Sequence, residues 1–246
     1  MPDIPFPEAG AASVAGSIDN IRFTDRSQAG ELLAQRLAGH AGLAGALVLA
    51  LPRGGVPVGA ALARRLGVAL DILLVRKLGM PNQPEFAMGA IGSGGVRVLQ
   101  PGVPGLMGVT AAQVEAVAER ELAELQRREQ AYRGGRAPLM LAGRTAILVD
   151  DGVATGASML AAIEVARRLQ PRELILAIPV APAGTLAQLA PRVERLVCLA
   201  SPARFRSVGQ CYEHFDQTSD REVQDLLAAA WHVQAVPDAD ERSSTQ

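Results

Sequence analysis

Apolar positions in this chain fall into short unbroken runs separated by stretches with helical spacing. Ala46–Leu51 (ALVLAL), Val68–Val75 (VALDILLV), Ile147–Val149, Glu173–Pro179 (ELILAIP) and Val193–Leu199 have the length and continuous apolarity of strands covered on both faces. Between them the period changes. Asp25, with Gln28 three positions on, caps a first helix whose apolar face is Ala29, Leu32, Leu33 and Leu37, ended by Gly39. A second helix has Pro57 in its first turn and Gly67 after its last. Thr110-Ala111-Ala112-Gln113 is a capping-box pattern opening a long helix to about Tyr132, with a narrow stripe of Val114, Ala118, Leu122 and Leu125 and a charged face read as solvated. Further helices are expected from near Ser158 through Leu169, over Pro182–Leu189, and from about Asp220 to His232. Strands alternating with helices predict an α/β fold: a parallel sheet with helices on both faces, binding ligands outside the carboxyl ends of its strands. That rule puts Pro52–Gly55, Arg76–Lys77 and Asp150–Ser158 on one rim.

Four stretches break the alternation. Residues 1–20, rich in Pro, Ala, Gly and Ser, read as a disordered leader, and 236–246 as a polar tail. Residues 76–109 are rich in Gly and Pro: 78–86 read as a flexible lid, and Ala87–Ile91 with Val96–Leu99 as a hairpin about Ser93-Gly94-Gly95. Residues 201–218 read as a loop segment that holds Phe205, Tyr212 and Phe215. One domain over 21–235 accommodates all of the regular elements.

Composition narrows the classes. The 246 residues are 49% hydrophobic with a net charge of −1, which argues against a nucleic-acid partner. No apolar run is long enough to span a bilayer, and the N-terminus lacks the basic start and apolar core of a signal peptide. Cys198 and Cys211 make no disulfide framework, so a reducing, cytoplasmic location is expected.

The chemistry concentrates after Val149. Asp150 and Asp151 end a strand, Gly152, Ala154, Gly156 and Ala157 keep the turn unobstructed, and Thr155 and Ser158 add hydroxyls at a helix start. Free amides and the helix dipole there suit a phosphate. Two carboxylates beside one phosphate make sense for a sugar phosphate, whose vicinal hydroxyls donate to them. Arg53-Gly54-Gly55 after the first strand is a second anion-binding candidate; alone it would be a turn with a solvated arginine, and its place in a βαβ unit gives it weight.

The unbroken run Ile147–Ser158 resembles the ribose-phosphate loop of the type I phosphoribosyltransferases. The wider pattern LPRGGVPVG, VRKLG, VDDGVATG and VGQCYEHFDQ, over about residues 21–230, resembles a bacterial group of that family with no assigned acceptor. The resemblance implies a type I phosphoribosyltransferase-like sheet with a lid and a small C-terminal hood. It implies transfer of a 5-phosphoribosyl group from phosphoribosyl diphosphate to a nucleobase or other small nucleophile, within nucleotide metabolism. Mg2+ is the implied cofactor, held indirectly by Asp150 and Asp151 through ribose hydroxyls or water. Residues Asp150 and Asp151 would grip the diol; Gly152, Val153, Ala154, Thr155, Gly156, Ala157 and Ser158 the 5-phosphate; Arg53, Gly54, Gly55, Arg76 and Lys77 the diphosphate. Glu85 on the lid is placed to take a proton from the nucleophile, and Phe86 to stack on a ring. Phe205, Tyr212, His214 and Phe215 fit either a stacking pocket or a small satellite core. Ala154 stands where some purine-salvage members carry a third acid, so the loop looks more like the adenine or orotate type. A homodimer is left open. The alternative is a module that senses phosphoribosyl diphosphate without turning it over.

Overall fold

The computed structural model describes residues 13–14, 22–100 and 102–235. Its main sheet joins β1 (Ser13–Val14), β2 (Leu47–Ala50), β3 (Ala69–Ile72), β7 (Thr145–Val149), β8 (Glu173–Val180) and β9 (Arg195–Ala200), all parallel, in the order β1-β9-β8-β7-β2-β3. The helices are α1 (Arg26–Leu37), α2 (Gly55–Leu66), α3 (Val103–Leu106), α4 (Ala111–Arg133), α5 (Ala157–Arg168), α6 (Ala183–Leu189) and α7 (Asp220–Ala235). A smaller antiparallel sheet, β4 (Val75–Met80), β5 (Gln83–Gly92) and β6 (Val96–Leu99), stands beside it. Ser13–Val14 pair with Val197 and Cys198; the rest of the stretch read as a leader, and the tail from residue 236, lie outside the described residues.

Period-two alternation divides each central strand between two cores. Val48, Ala50, Ile147 and Val149 face α1 and α2, whereas Leu47, Leu49, Ala146 and Leu148 pack with Met159 and Ile163 of α5. This is why the strands read as continuous apolar runs. From β2 the chain moves to β3 on one side, and from β7 to β8 and β9 on the other, while β2 and β7 are neighbours. The order reverses there, and the crevice outside those two carboxyl ends is where such sheets bind ligands.

The run Val68–Val75, expected as one strand, is two. At Leu73 and Leu74 the chain leaves the sheet: Leu73 N–H still donates to the Ala50 carbonyl at 3.0 Å, but Leu74 exchanges bonds with Ser93, its N–H to Ser93 Oγ at 3.1 Å and its carbonyl from Ser93 N–H at 2.9 Å. The hydrogen-bond ladder is thereby handed to the small sheet.

Residues 78–86, expected as a flexible lid, are the end of β4 and the start of β5. Leu78 and Met88 are fully buried in the core shared with Val114, Val117, Ala118 and Leu125 of α4. Glycine at 79 conceals this strand in the sequence, yet the pairing needs it: a Cβ there would stand 2.5 Å from the Pro84 carbonyl oxygen. The hairpin forms as β5 and β6, with Gly89 opposite Leu99 and Gly92 opposite Val96.

Both N-terminal caps form as read. Asp25 accepts from Gln28 N–H, and Thr110 and Gln113 make a reciprocal capping box. The charged face of α4, however, is not wholly solvated. Arg133 is buried and forks onto Asp71 of β3 at 2.9 and 3.0 Å, and Arg76 pairs with Glu121 at 2.5 Å.

Candidate active site

Asp150 and Asp151 leave β7 at the reversal point. Asp150 Oδ1 accepts the N–H of Asp151 at 2.9 Å. Burial, and then the charge on Asp151, push the Asp150 carboxyl well above the usual carboxylate range. Burial also raises Asp151, opposed by the hydrogen bond that Arg26 Nε donates to its Oδ2 at 2.9 Å. Two crowded acids therefore face a crevice that rewards hydrogen-bond donors or cations.

The loop that follows is pinned on its outer side. Val153 N–H donates to the Val180 carbonyl at 2.9 Å, and Thr185 Oγ1 to the Ala154 carbonyl at 2.7 Å. Gly156 begins α5 at φ 81°, a conformation that disfavours a side chain, and no side chain caps the helix. Ala154, Thr155 and Ser158 are exposed, so the loop's hydroxyls and the open helix end meet solvent.

Gly54 and Gly55 have a role that differs from the expected one. A Cβ on Gly54 would collide with Asp151 Oδ2, and one on Gly55 would stand 2.8 Å from the Val149 carbonyl oxygen. The glycines let the start of α2 close against the aspartates. Gly54→Ala should therefore displace Asp151 and, if the pair belongs to the active centre, lower kcat/KM about a hundredfold, on the scale of a one-ångström misplacement. Steady-state kinetics check this, and a near-wild-type kcat/KM would contradict the close approach.

Arg53 follows a cis Pro52–Arg53 peptide. Its Nη1 lies 3.7 Å from Asp220 Oδ1, an oxygen that also accepts the Tyr132 hydroxyl at 2.5 Å. Burial, with that hydrogen bond to Asp220, pushes the Tyr132 phenol up to about 12. Arg53 thus leans on the first turn of α7 without being held tightly.

Arg76 and Lys77, expected together on one ligand, do not converge. Adjacent strand residues point to opposite faces. Arg76 joins Leu51, Pro52, Asp150 and Ser158 around a recess of about 180 Å³. Lys77 lines a separate groove of about 840 Å³ between the small sheet and α5, with Phe86, Leu99 and Leu160. Phe86 is 63% exposed there. Glu85 lies in β5, and its side chain is outside the described residues.

The hood segment packs onto the main core and the entry to α1. Tyr212 is buried, 5.3 Å from the Phe23 ring and stacked 5.0 Å from Phe215, while Phe205 rests on the main core. His214 is exposed. The aromatic cluster is an extension of the main core, neither a stacking pocket nor a separate satellite, and the Tyr212 hydroxyl ties it to the site by donating to the Asp151 carbonyl at 2.6 Å. Gly152 adds to this seam, since a Cβ there would meet Val208 at 2.5 Å.

Sequence reasoning missed Arg26, which belongs to this site. Phe23 and Thr24 exchange backbone hydrogen bonds with Cys211, Glu213 and His214, so the entry to α1 is stitched to the hood. The next turn carries Arg26 over the Phe215 ring at 3.9 Å and onto Asp151. Its only signal in the sequence was its position behind the cap Asp25. Arg26, Arg53, Gly54, Asp151, Phe215 and Gln217 enclose a second recess of about 330 Å³.

The family model for the phosphoribosyl transferase domain matches residues 24–194, a span that includes both glycine-rich turns and the aspartate pair. The chain belongs to the phosphoribosyl transferase domain family. Two Mycobacterium tuberculosis proteins, one from each of two strains and both provisionally named phosphoribosyl transferase, are 50% identical over 208 residues, 85% of this chain. The chain spans about half the length of these curated relatives, 47%. The crystal structure of TT1426 from Thermus thermophilus matches with 44% identity and a TM-score of 0.77, over 85% of this chain and 98% of that one. The α/β sheet with flanking helices is thus the expected family architecture.

Proposed function

We propose that this domain transfers the 5-phosphoribosyl group of phosphoribosyl diphosphate to a small nucleophile. The observation that carries the reading is the half-buried Asp150–Asp151 pair set against the uncapped start of α5 at the β2–β7 reversal. Amides of residues 154–158 take the 5-phosphate, and the carboxylates accept the ribose hydroxyls. Arg76, in the smaller recess, and Arg53, at the loop edge, neutralise the diphosphate. The C1–O bond breaks with its electron pair leaving on the diphosphate. The nucleophile's lone pair forms the new bond at C1 from the opposite face, and any proton it carried passes to solvent or to the released diphosphate.

Among the described residues no group of three or more His, Cys, Asp or Glu is placed to hold a metal. Two hard carboxylates beside a phosphate site fit Mg2+ carried mainly by its substrate. Bound there, Mg2+ would supply charge neutralisation on the diphosphate. The aspartates themselves hold the diol and face the positive charge that develops at C1.

Among the described residues no helix is long and apolar enough to cross a membrane. Cys198 and Cys211 are buried and unpaired, which supports a reducing, cytoplasmic setting.

Incubation with phosphoribosyl diphosphate, Mg2+ and a panel of nucleobases and related heterocycles should give acceptor-dependent diphosphate release. Tight binding of phosphoribosyl diphosphate with no release across the panel would favour a sensing module instead.

A further inference from the structure

The long helix α4 brings charged side chains to the crevice. Glu121, Leu125, Arg128 and Tyr132 follow one another at three- and four-residue spacing, so they share a face, and Leu125 and Tyr132 on it are buried. Arg128 lies between those two. It lines the smaller recess together with Arg76, Pro52, Asp150 and Ser158. Arg76 Nε donates to Glu121 at 2.5 Å and Arg128 Nε to Glu124 at 2.8 Å, with Arg76 Nη1 4.0 Å from Glu124. Neither glutamate lines the recess. The Nη atoms of both arginines make no hydrogen bond among the described residues. The glutamates balance the arginines, so the recess offers two held forks of donors rather than surplus charge. Tyr132 adds a link to the loop edge. Its hydroxyl donates to Asp220, the carboxylate beside Arg53, and the charges of Arg128 and Arg53 both oppose the rise of its phenol. Arg128 therefore neighbours both Arg76 and Arg53.

We propose that Arg128 is a further substrate-binding residue, supplied by α4, that binds the diphosphate of phosphoribosyl diphosphate beside Arg76 in this recess. This rests on the phosphoribosyl-transfer reading and adds a residue to it. The recess holds about 180 Å³, below the roughly 300–1,000 Å³ that encloses a whole organic ligand, so it suits one end of the substrate. Covalent geometry picks the end. The diphosphate is bonded to C1, next to a carbon that bears a hydroxyl of the diol. Asp150 of the diol-binding pair lines the recess, and so does Pro52 at the start of the diphosphate turn. Of the loop that takes the 5-phosphate, Ser158 alone lines it. A guanidinium held through Nε keeps its Nη groups aimed for forked, charge-assisted bonds to phosphate oxygens. Because α4 is packed on the core at Leu125 and Tyr132, Arg128 needs no closing lid to reach the site.

Binding tests this without knowing the acceptor. Ribose 5-phosphate and phosphoribosyl diphosphate, each with Mg2+, are titrated calorimetrically into the wild-type protein and into Arg128→Gln, Arg128→Lys and Arg127→Gln. Arg127 is the control: it also bonds Glu124, at 2.8 and 3.0 Å, but does not line the recess. Arg128→Gln is expected to weaken phosphoribosyl diphosphate about tenfold or more, on the scale of one charge-assisted bond, and to leave ribose 5-phosphate within about twofold. Arg128→Lys should keep part of the affinity, and Arg127→Gln should match wild type for both ligands. Unchanged affinity for phosphoribosyl diphosphate in Arg128→Gln, an equal loss for both ligands, or the same loss in Arg127→Gln overturns the role of Arg128 alone. Failure of the wild-type protein to bind either ligand overturns the phosphoribosyl reading and this inference with it.

Discussion

Asp150→Asn together with Asp151→Asn abolishes binding of phosphoribosyl diphosphate, with affinity falling at least a hundredfold in titration calorimetry. Each carboxylate is expected to accept a hydrogen bond from a ribose hydroxyl, and such a bond to a charged group is worth about 1.5–3 kcal/mol. Two of them account for at least two decades. Unchanged affinity in the double variant would remove the sugar-phosphate reading of the crevice.

The same substitution carries a stability signature when made at Asp150 alone. In the folded chain burial, and then Asp151, raise the Asp150 pKa above the ordinary value of 3.8. The folded state therefore holds a proton that the unfolded state releases, and stability falls as pH rises through the interval between the two pKa values. Asparagine has no proton to lose. Asp150→Asn should thus melt higher than wild type at pH 7–8, and the gap should close as pH falls below the ordinary value of 3.8, where the wild-type carboxyl is protonated in the folded and unfolded chain alike. Thermal melts across that range check this, and a variant that melts lower at pH 8 would show that the site does not strain the carboxylate.

Arg133→Met destabilises the fold by about 3–5 kcal/mol, the range for leaving one partner of a buried ion pair uncompensated. Arg133 and Asp71 have side chains only 5% and 11% exposed. The guanidinium also donates to the Ala137 carbonyl at 2.8 Å, so it closes the end of α4 as well as binding β3. Asp71→Asn in the same chain should recover much of the loss, because it removes the orphaned charge. Urea unfolding of the single and double variants reads both effects. A single-variant loss below about 1 kcal/mol would show the pair to be effectively solvated.

These outcomes bear on how much was legible beforehand. Strands β2, β7, β8 and β9 were visible because a strand with cores on both faces has no polar positions to interrupt its run, as Ile147–Val149 illustrates. The caps at Asp25 and Thr110 were visible because capping is decided within four residues. The aspartate pair and the loop to Ser158 were visible for the same reason: their chemistry is contiguous. The small sheet was not. Its β4–β5 segment is broken by glycines and prolines that local reasoning assigns to flexibility, and its order comes from Leu78 and Met88 packing on a helix far along the chain. The divergence of Arg76 from Lys77 follows from β4, whose pleat sends adjacent side chains to opposite faces.

The sequence by itself determined the alternating α/β order, the placement of the glycine-rich turns at strand ends, and the contiguous acid-and-amide chemistry after Val149. Those features depend on neighbours within a few residues, where the period of side-chain direction and local hydrogen bonding decide the outcome. Only the tertiary structure decided that Arg26 shares Asp151, that Gly54 is required by a carboxylate some hundred residues away, that Tyr212 ties the hood to the main core and to the Asp151 carbonyl, and that Arg133 is buried. Each of these is a contact between distant segments, and its energy exists only once the sheet has brought their ends to one rim.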